Sequence, residues 1–255
     1  MTQVNTIHNC DCIAGMREHI SDNSIDLIVT SPPYNVGIDY DSWDDKMPLE
    51  DYFAWCEKWL AECYRVLKPD GRLCLNHYMS CGTSDVRFAP LMSLNQLAEG
   101  IGFHHYGCAI WADSHLTKRT AWGSWLSASA PYLNSPYEGI VVLYKDHWHK
   151  DRDGETDITP KEFMECASGV WKIQPCQTYD TIANFPIELP RRCIRFFSFV
   201  GDIVLDPFMG SGTTAVAAKQ TRRKYIGFEI SPNYYRTIME NLSQECLFKE
   251  LGVPT

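Results

Sequence analysis

The sequence of 255 residues predicts an α/β protein with a doubly wound, mostly parallel sheet. Two stretches predict this class, because each one alternates a short apolar strand with a helix and a second strand. The first covers residues 24–76 and the second covers residues 202–230. Parallel strands need a long crossover connection, which a helix provides in both stretches. A less regular segment, residues 112–180, separates them.

The first stretch begins with residues 24–30, an apolar run with the length of a buried strand. A helix is predicted to begin near Pro48, because proline suits the first helical position and Glu50 and Asp51 suit the first turn. Apolar residues then recur at helical spacing as far as Leu67. A Pro-Asp-Gly turn at residues 69–71 predicts a return to strand over residues 72–76.

The second stretch follows a helix predicted over residues 190–199. It comprises a strand at 202–206, a helix at 213–220, a strand at 224–230 and a final helix from about 231 to about 249. The turn Gly210-Ser211-Gly212 lets backbone approach a ligand closely, and the helix after it offers unpaired N–H groups. Glu229 ends the next strand, where an acidic side chain can accept hydrogen bonds from both ribose hydroxyls. This half of the chain therefore predicts a nucleoside site.

A second motif, Ser31-Pro32-Pro33-Tyr34, directly follows the first strand. The Ser31 hydroxyl and the Pro32 carbonyl can accept hydrogen bonds from an exocyclic amino group, and the two prolines fix φ and hold these acceptors. The Tyr34 ring offers a surface on which a base can stack. An isolated tetrapeptide of this kind can also simply end a strand. Its place after an apolar strand, together with the glycine turn, favours a functional role.

The two motifs together resemble those of amino-directed DNA methyltransferases of the permuted β class, over about residues 5–80 and 180–245. The resemblance implies a circularly permuted, Rossmann-like methyltransferase fold that uses S-adenosyl-L-methionine. It assigns catalysis to Ser31, Pro32, Pro33 and Tyr34. It assigns cofactor binding to Asp11, Phe185, Pro186, Asp206, Pro207, Phe208, Gly210, Ser211, Gly212, Thr213 and Glu229.

The resemblance also implies double-stranded DNA as the partner, with the target base flipped out of the helix. Members that begin the motif with serine usually modify cytosine N4, whereas members with aspartate usually modify adenine N6. Cytosine N4 is therefore the favoured target, with adenine N6 as the alternative. Methylation of RNA or of a protein amide, and a non-catalytic nucleic-acid-binding module, are more distant alternatives. A cognate restriction endonuclease as a partner, and a monomer or a homodimer, all stay open.

Three parts are predicted along the chain. Residues 1–111 form the catalytic half, residues 112–180 form a target-recognition insert with one sheet strand near 138–144, and residues 181–255 form the cofactor-binding half. Side chains that could read base edges in the insert are Lys118, Arg119, Asn134 and Arg152.

The net charge of −9 counts against DNA binding, which depends on neutralised phosphates, unless the basic residues share one face. The candidates for such a face are Lys118, Arg119, Lys145, Lys150, Arg152, Arg191, Arg192, Arg195, Arg222, Arg223 and Lys224. The eleven cysteines and eight histidines lack zinc-site spacing, so no metal is predicted. The chain has no signal peptide and no apolar run of the ~20 residues that span a bilayer. We therefore expect a soluble, cytoplasmic protein with no membrane partner.

Overall fold

A computed structural model describes residues 2–82, 87–112, 123–131, 133, 137–174 and 185–250. Its helices and strands, in chain order, are β1 Thr6–His8, α1 Cys12–His19, β2 Ile25–Thr30, α2 Leu49–Val66, β3 Leu67–Tyr78, β4 Cys81–Gly82, β5 Arg87–Phe88, α3 Pro90–Ile101, β6 His104–Ala112, β7 Glu138–Tyr144, α4 Pro160–Ala167, β8 Val170–Lys172, α5 Glu188–Phe197, β9 Ile203–Asp206, α6 Thr213–Gln220, β10 Lys224–Phe228 and α7 Pro232–Glu250.

The main sheet has eight strands in the order β1-β10-β9-β2-β3-β7-β6-β8, and β4 and β5 form a separate small hairpin. Among these eight strands, β7 alone runs against the others, since it is antiparallel to both β3 and β6. The carboxyl ends of the parallel strands and the first residue of β7 therefore meet at one edge of the sheet, called here the carboxyl edge. This arrangement confirms the mostly parallel α/β fold.

Helices cover both faces of the sheet, as the doubly wound class requires. The alternation of strand side chains explains the two layers: Ile28 of β2 packs in one core cluster, whereas Leu27 and Val29 pack in the other. The first cluster includes buried residues of α1, α2 and α3, and the second includes buried residues of α5 and α6. A third, smaller cluster joins α6 to α7.

The described part of the predicted insert contributes to the main sheet. Strand β7 lies between β3 and β6, and β8 pairs with β6 at the edge of the sheet. Helix α4 begins with a capping box formed by Thr159 and Glu162. Trp171 of β8 is buried in the second core cluster. The predicted residues Lys118, Arg119 and Asn134 lie outside the described residues.

Strand β3 begins five residues earlier than the sequence predicts. Helix α2 ends at Val66, and Leu67 already pairs with Ile25 of β2. The register shifts between Ile25 and Leu27, so the Pro-Asp-Gly turn at residues 69–71 is absorbed within the strand instead of preceding it. The Gly71 carbonyl accepts a hydrogen bond from the Lys145 amide, which anchors this irregular part of the strand.

Most described residues of the predicted basic face form ion pairs with acidic residues of the same protein. Arg223 is buried and bonds to Asp157, and Arg152 bonds to Asp202. Similar pairs join Lys150 to Asp70, Arg191 and Arg192 to Glu188, Arg195 to Glu162 and Arg222 to Glu155. These cations compensate the acidic residues of the fold itself, so they do not form a free positive surface.

Two further findings concern the described residues. No helix among them is both long and apolar enough to span a bilayer. No group of three or more histidine, cysteine or acidic side chains within them is arranged to hold a metal ion.

Replacing Trp171 tests whether β8 is part of the common core. Trp171 is 1% exposed and its indole N–H donates to the Cys166 carbonyl at 2.9 Å. We expect Trp171→Ala to lower the free energy of unfolding by about 3–5 kcal/mol, measured by urea denaturation. Trp125→Ala is the matched control, because Trp125 is 83% exposed and its loss should change stability by less than about 0.5 kcal/mol. Equal effects of the two changes would contradict this packing.

Candidate active site

The two predicted motifs meet at the carboxyl edge through one buried carboxylate. Asp206 ends β9, which lies beside β2, and its Oδ1 accepts hydrogen bonds from the Thr30 hydroxyl at 2.7 Å and from the Phe208 amide at 3.0 Å. Its Oδ2 accepts from the Thr214 hydroxyl at 2.7 Å. Asp206 therefore ties the end of β2 to the glycine turn and to the first helical turn after it. Burial raises the pKa of this carboxyl to about 7.

A cavity opens at the carboxyl edge, next to the ends of β1, β9 and β10. Residues from both motifs line it, together with residues from the segments after β1, β2 and β10. They include Cys10, Asp11, Cys12, Ser31, Pro33, Tyr40, Asp41, Ser42, Trp43, Trp55, Pro207, Phe208, Gly210, Phe228, Glu229, Ile230, Ser231 and Tyr234. Six of the eighteen lining residues are aromatic and six are serines or acidic residues, a mixture of apolar surface and hydrogen-bonding groups that suits a small polar ligand.

Glu229 is held in a fixed position in this cavity. Its Oε2 accepts from the Gly210 amide and its Oε1 from the Ser231 amide, both at 2.8 Å. Each carboxylate oxygen has a further lone pair, so both can accept a second hydrogen bond from a ligand. Burial raises the pKa of Glu229, while its hydrogen bonds to backbone amides oppose that rise.

The glycine turn requires glycine at two positions. Gly210 has φ of 56° and Gly212 has φ of 88°, both in the left-handed region that other residues rarely adopt. A Cβ on Gly212 would also lie 2.9 Å from Ile238 of α7. Gly212 is the N-cap of α6, so the turn delivers the chain directly into the helix.

Asp11 has two features relevant to the predicted cofactor site. Its Oδ1 caps α1 by accepting from the Ala14 amide at 2.9 Å, and the residue also lines the cavity. The cap fixes the carboxylate at the start of the helix. Trp43 also lines the cavity, but its indole nitrogen is buried away from it and has no hydrogen-bond partner among the described residues.

The segment from Asn35 to Met47 forms one wall of the cavity. Buried Asp45 accepts hydrogen bonds from four successive backbone amides, those of residues 35–38, at 2.8–3.0 Å. Asp41 of the same segment accepts from the hydroxyl of Ser231 at 2.7 Å and from the amide of Asn233 at 2.9 Å. The wall is therefore fixed at its base and bonded to the segment after β10.

The Ser-Pro-Pro-Tyr motif sits in a polar network. The Ser31 hydroxyl donates to Tyr34 Oη at 2.8 Å, and Tyr34 Oη donates to Glu138 Oε2 at 2.8 Å. The Asn76 side-chain amide donates both to Tyr34 Oη, at 2.8 Å, and to Glu138 Oε2, at 2.6 Å. Asn76 belongs to β3, and Glu138 is the first residue of β7, so three neighbouring strand ends build this network.

A second set of contacts fixes the prolines and the tyrosine ring. The Tyr52 hydroxyl, from α2, donates to the Pro33 carbonyl at 2.7 Å and lies 3.2 Å from His77 Nε2. Burial lowers the pKa of His77 to about 3, so this imidazole is neutral. The Tyr34 ring stacks on His77 with centroids 4.1 Å apart and meets the edge of Tyr78. The predicted stacking ring is thus itself supported on one face by His77.

The structure brings only some of the predicted site residues to the cavity. Asp11, Ser31, Pro33, Pro207, Phe208, Gly210 and Glu229 line it. Pro32 and Tyr34 belong to the same motif but do not line the cavity. Phe185, Pro186, Asp206, Ser211, Gly212 and Thr213 are outside its lining as well. Phe185 packs against the second core cluster, Pro186 is buried just before α5, and Asp206 is fully buried behind the turn.

Sequence reasoning missed several polar residues of the site. Asn76 and Glu138 each adjoin an apolar strand that the sequence does predict, and a polar residue at a strand end is the signal that marks them. In the sequence, Tyr52 resembles an ordinary core residue of α2, because its position belongs to the apolar face of that helix. Asp45 lies in an acidic loop where its four amide bonds cannot be read from the sequence.

The fold and these two motifs define a methyltransferase with a Rossmann-like sheet. The family model described as DNA methylase, of the N6/N4 methyltransferase type, matches residues 25–240. The chain therefore belongs to the N6/N4 DNA methylase family.

Relatives and solved structures agree with this assignment. The chain is 47% identical to the type II methyltransferase M.MjaVI of Methanocaldococcus jannaschii over 60% of this chain and 78% of that protein. It is 30% identical to M.BglII of Bacillus subtilis over 95% of this chain and 70% of that protein. The structure of TTHA0409 from Thermus thermophilus, complexed with S-adenosyl-L-methionine, matches with a TM-score of 0.75 and 26% identity over 94% of this chain and 93% of that one. This protein is thus a DNA methyltransferase that uses S-adenosyl-L-methionine.

Asp206 should make stability depend on pH. Its pKa of about 7 exceeds the ordinary value near 3.9, so the folded state binds this proton more tightly than the unfolded chain. The resulting stabilisation is complete below about pH 4 and is lost as the pH rises through about 7. In urea denaturation from pH 5 to pH 8, we expect wild type to lose stability relative to Asp206→Asn. Asp51→Asn, an exposed change on α2, is the control that should show no such trend. A constant difference between wild type and Asp206→Asn would refute this assignment.

Proposed function

We propose that this protein transfers a methyl group from S-adenosyl-L-methionine to the exocyclic N4 of cytosine in DNA. The proposal rests first on Ser31, which lines the cofactor cavity and donates its own hydrogen to Tyr34. Its oxygen lone pairs therefore remain as acceptors for an amino group beside the cavity. Serine at the first position of the motif, which resembles cytosine-N4 enzymes, supports cytosine as the base.

The acceptors of this site suit the chemistry of an aromatic amino group. The amino lone pair is delocalised into the ring, and acceptors for the two amino hydrogens encourage the nitrogen to rehybridise before it attacks. The Pro33 carbonyl is occupied by Tyr52, whereas the Pro32 carbonyl accepts no hydrogen bond from the described residues. Ser31 Oγ and the Pro32 carbonyl are therefore the pair that we propose for the two hydrogens, preorganised by the prolines.

We assign cofactor binding to Glu229 and the glycine turn. Bound S-adenosyl-L-methionine supplies a methyl group activated by a sulfonium sulfur. Glu229 suits the two ribose hydroxyls, because two backbone amides fix its carboxylate in the cavity. The cavity also has Asp11 and Phe228 for the remainder of the nucleoside. Asp206 acts behind this site by holding the turn, and Ser211, Gly212 and Thr213 shape it.

Adenine N6 is the second candidate target. The chain is 27% identical to the DNA adenine methyltransferase YhdJ of Escherichia coli, over 94% of this chain and 83% of that protein. An adenine amino group has the same two hydrogens and the same delocalised lone pair, so the acceptor pair serves either base. The choice between the two bases depends on the fit of the ring.

Target recognition is proposed for the segment 112–180. The connection from β6 to β7 leaves and re-enters the sheet at the carboxyl edge, since Trp111 pairs with Glu138. This connection includes Trp125 and Leu126, both largely exposed. Arg152, in contrast, is paired with Asp202, so we do not assign it to base reading.

Mass spectrometry of nucleosides tests the function directly. DNA of mixed sequence is incubated with the protein and with S-adenosyl-L-methionine that carries a heavy methyl group, and the DNA is then digested. We expect labelled N4-methylcytosine. Labelled N6-methyladenine would instead identify adenine as the target, with the same mechanism. If no labelled nucleoside forms, both candidate functions are refuted.

Two single changes test the division between cofactor and target groups. Glu229→Ala should weaken cofactor binding about 10- to 100-fold in calorimetry, because hydrogen bonds to a charged group are worth about 1.5–3 kcal/mol. Ser31→Ala should leave the cofactor Kd within about twofold and lower turnover about 100-fold. Glu240→Ala, an exposed change on α7, is the control for both measurements. Loss of cofactor binding in Ser31→Ala would show that the division is wrong.

A further inference from the structure

A chain of hydrogen bonds leads from the cofactor cavity to a carboxylate outside it. Ser31 lines the cavity and donates to Tyr34 Oη, and Tyr34 donates to Glu138 Oε2, with both distances 2.8 Å. Each hydroxyl has a single hydrogen, and both hydrogens point in the same direction, away from the cavity. A proton that arrives at Ser31 can therefore move along the chain without any side chain turning first.

Asn76 fixes this direction. Its amide nitrogen donates to Tyr34 Oη at 2.8 Å and to Glu138 Oε2 at 2.6 Å. Since an amide nitrogen only donates, the Tyr34 hydroxyl hydrogen cannot point towards it. The carboxylate of Glu138 is the acceptor that remains for that hydrogen. Asn76 is itself buried, and its Oδ1 accepts no hydrogen bond from the described residues, so the two bonds from its amide nitrogen are the contacts that orient this side chain.

Glu138 has the environment of a proton acceptor. Among the described residues, no lysine, arginine or histidine forms an ion pair with it, and its ionised form is held by the two hydrogen bonds from Tyr34 and Asn76. Burial raises the pKa of Glu138 above its ordinary value. A carboxylate that is buried without a cation gains from accepting a proton, because burial disfavours its charge.

The other titratable groups near Glu138 come from its neighbouring strands and from the catalytic motif. Among the described residues they are Tyr34, His77 and Tyr78, with Tyr137 directly before Glu138 in the chain and Cys108 beside the next residue of β7. Burial raises the pKa of Tyr34 and lowers that of His77 to about 3, and burial also raises the pKa of Cys108. Glu138 is the one carboxyl group in this set.

We propose that Glu138 receives, through Tyr34 and Ser31, the proton that the target amino group loses during methyl transfer. This inference rests on the proposed function and holds for cytosine N4 and adenine N6 alike. Glu138 is not among the residues that line the cavity, so it acts through Tyr34 and Ser31 as a positioning residue whose carboxylate ends the relay.

The proton balance of the step is simple. The amino nitrogen forms the new N–C bond with its lone pair, the S–C bond breaks and leaves its electron pair on sulfur, and the nitrogen then has one proton too many. That proton moves to Ser31 Oγ, the Ser31 proton moves to Tyr34 Oη, and the Tyr34 proton moves to Glu138 Oε2. Each atom that gives up a proton keeps the bonding electron pair. A sulfonium and a carboxylate become a thioether and a carboxylic acid, so the charge balances.

The relay also explains how a neutral serine can occupy the first position of the motif. A hydroxyl alone is a weak acceptor, and protonating it is costly. Hydrogen bonds in series polarise one another, and here the series ends on a negative charge. The carboxylate that an aspartate would supply directly at that position is supplied two hydrogen bonds away.

Glu138→Gln is the decisive variant, because glutamine can accept the Tyr34 hydrogen bond but cannot take a proton. With enzyme in excess, mixed-sequence DNA and heavy-methyl S-adenosyl-L-methionine, we expect the rate of labelled nucleoside formation to fall about 100-fold or more. In wild type this rate should rise with pH and level off above the pKa of Glu138, since only the carboxylate accepts. The variant should lose that rise while the cofactor Kd stays within about twofold. Glu57→Gln, an exposed change on α2, is the matched control.

Tyr34→Phe provides an independent test that does not alter Glu138. It interrupts the relay, so the double variant with Glu138→Gln should be no slower than the slower single variant. The relay would be overturned if the rate reduction in the double variant equalled the product of the two single reductions. A wild-type rate and pH profile in Glu138→Gln would overturn it as well. These results require that wild type forms a labelled nucleoside. If wild type forms none, the proposed function fails, and that failure is distinct from a failure of the relay.

Discussion

The carboxylate of Asp206 is the constraint on which the site depends. The two motifs lie far apart in the chain, and their strands β2 and β9 are neighbours in the sheet. Strand pairing alone fixes two backbones, but the hydrogen bonds from Thr30 and Thr214 also fix the directions in which the chain leaves each strand. The Ser-Pro-Pro-Tyr turn and the glycine turn therefore face one cavity. Burial raises the pKa of the Asp206 carboxyl to about 7, and the three hydrogen-bond donors around it stabilise the group in this buried position.

The polarity of hydrogen bonds matters in this site as much as the positions of its atoms. Asn76 can only donate through its amide nitrogen, and that single restriction orients the Tyr34 hydroxyl and then the Ser31 hydroxyl. Hydrogen-bond polarity also matters on the other side of the motif. There the Tyr52 hydroxyl donates to the Pro33 carbonyl, which leaves the Pro32 carbonyl as an acceptor. In the proposed mechanism, neutral groups accept from the amino group, and the carboxyl group of Glu138 lies behind them.

The sequence predicts regular elements well and long-range polar contacts poorly. Helix α6 spans residues 213–220 as predicted, because a glycine turn and a strand bound it on either side. The start of β3 is predicted five residues too late, since its register shift depends on pairing with β2. Asp206 is predicted as a cofactor residue from its motif, yet Thr30 occupies its carboxylate from 176 residues away. Glu138 is missed because only the reversed direction of β7 brings a strand's first residue to the carboxyl edge.

The reversed strand has a further consequence for how this enzyme can change. Because β6 ends and β7 begins at the carboxyl edge, the chain between Ala112 and Glu138 starts and finishes beside the Ser-Pro-Pro-Tyr motif. Its length and composition can vary while both anchoring strands keep their register. With target recognition assigned to this segment as proposed above, exchanging one loop for another would change the DNA sequence preference and leave the chemical core unchanged.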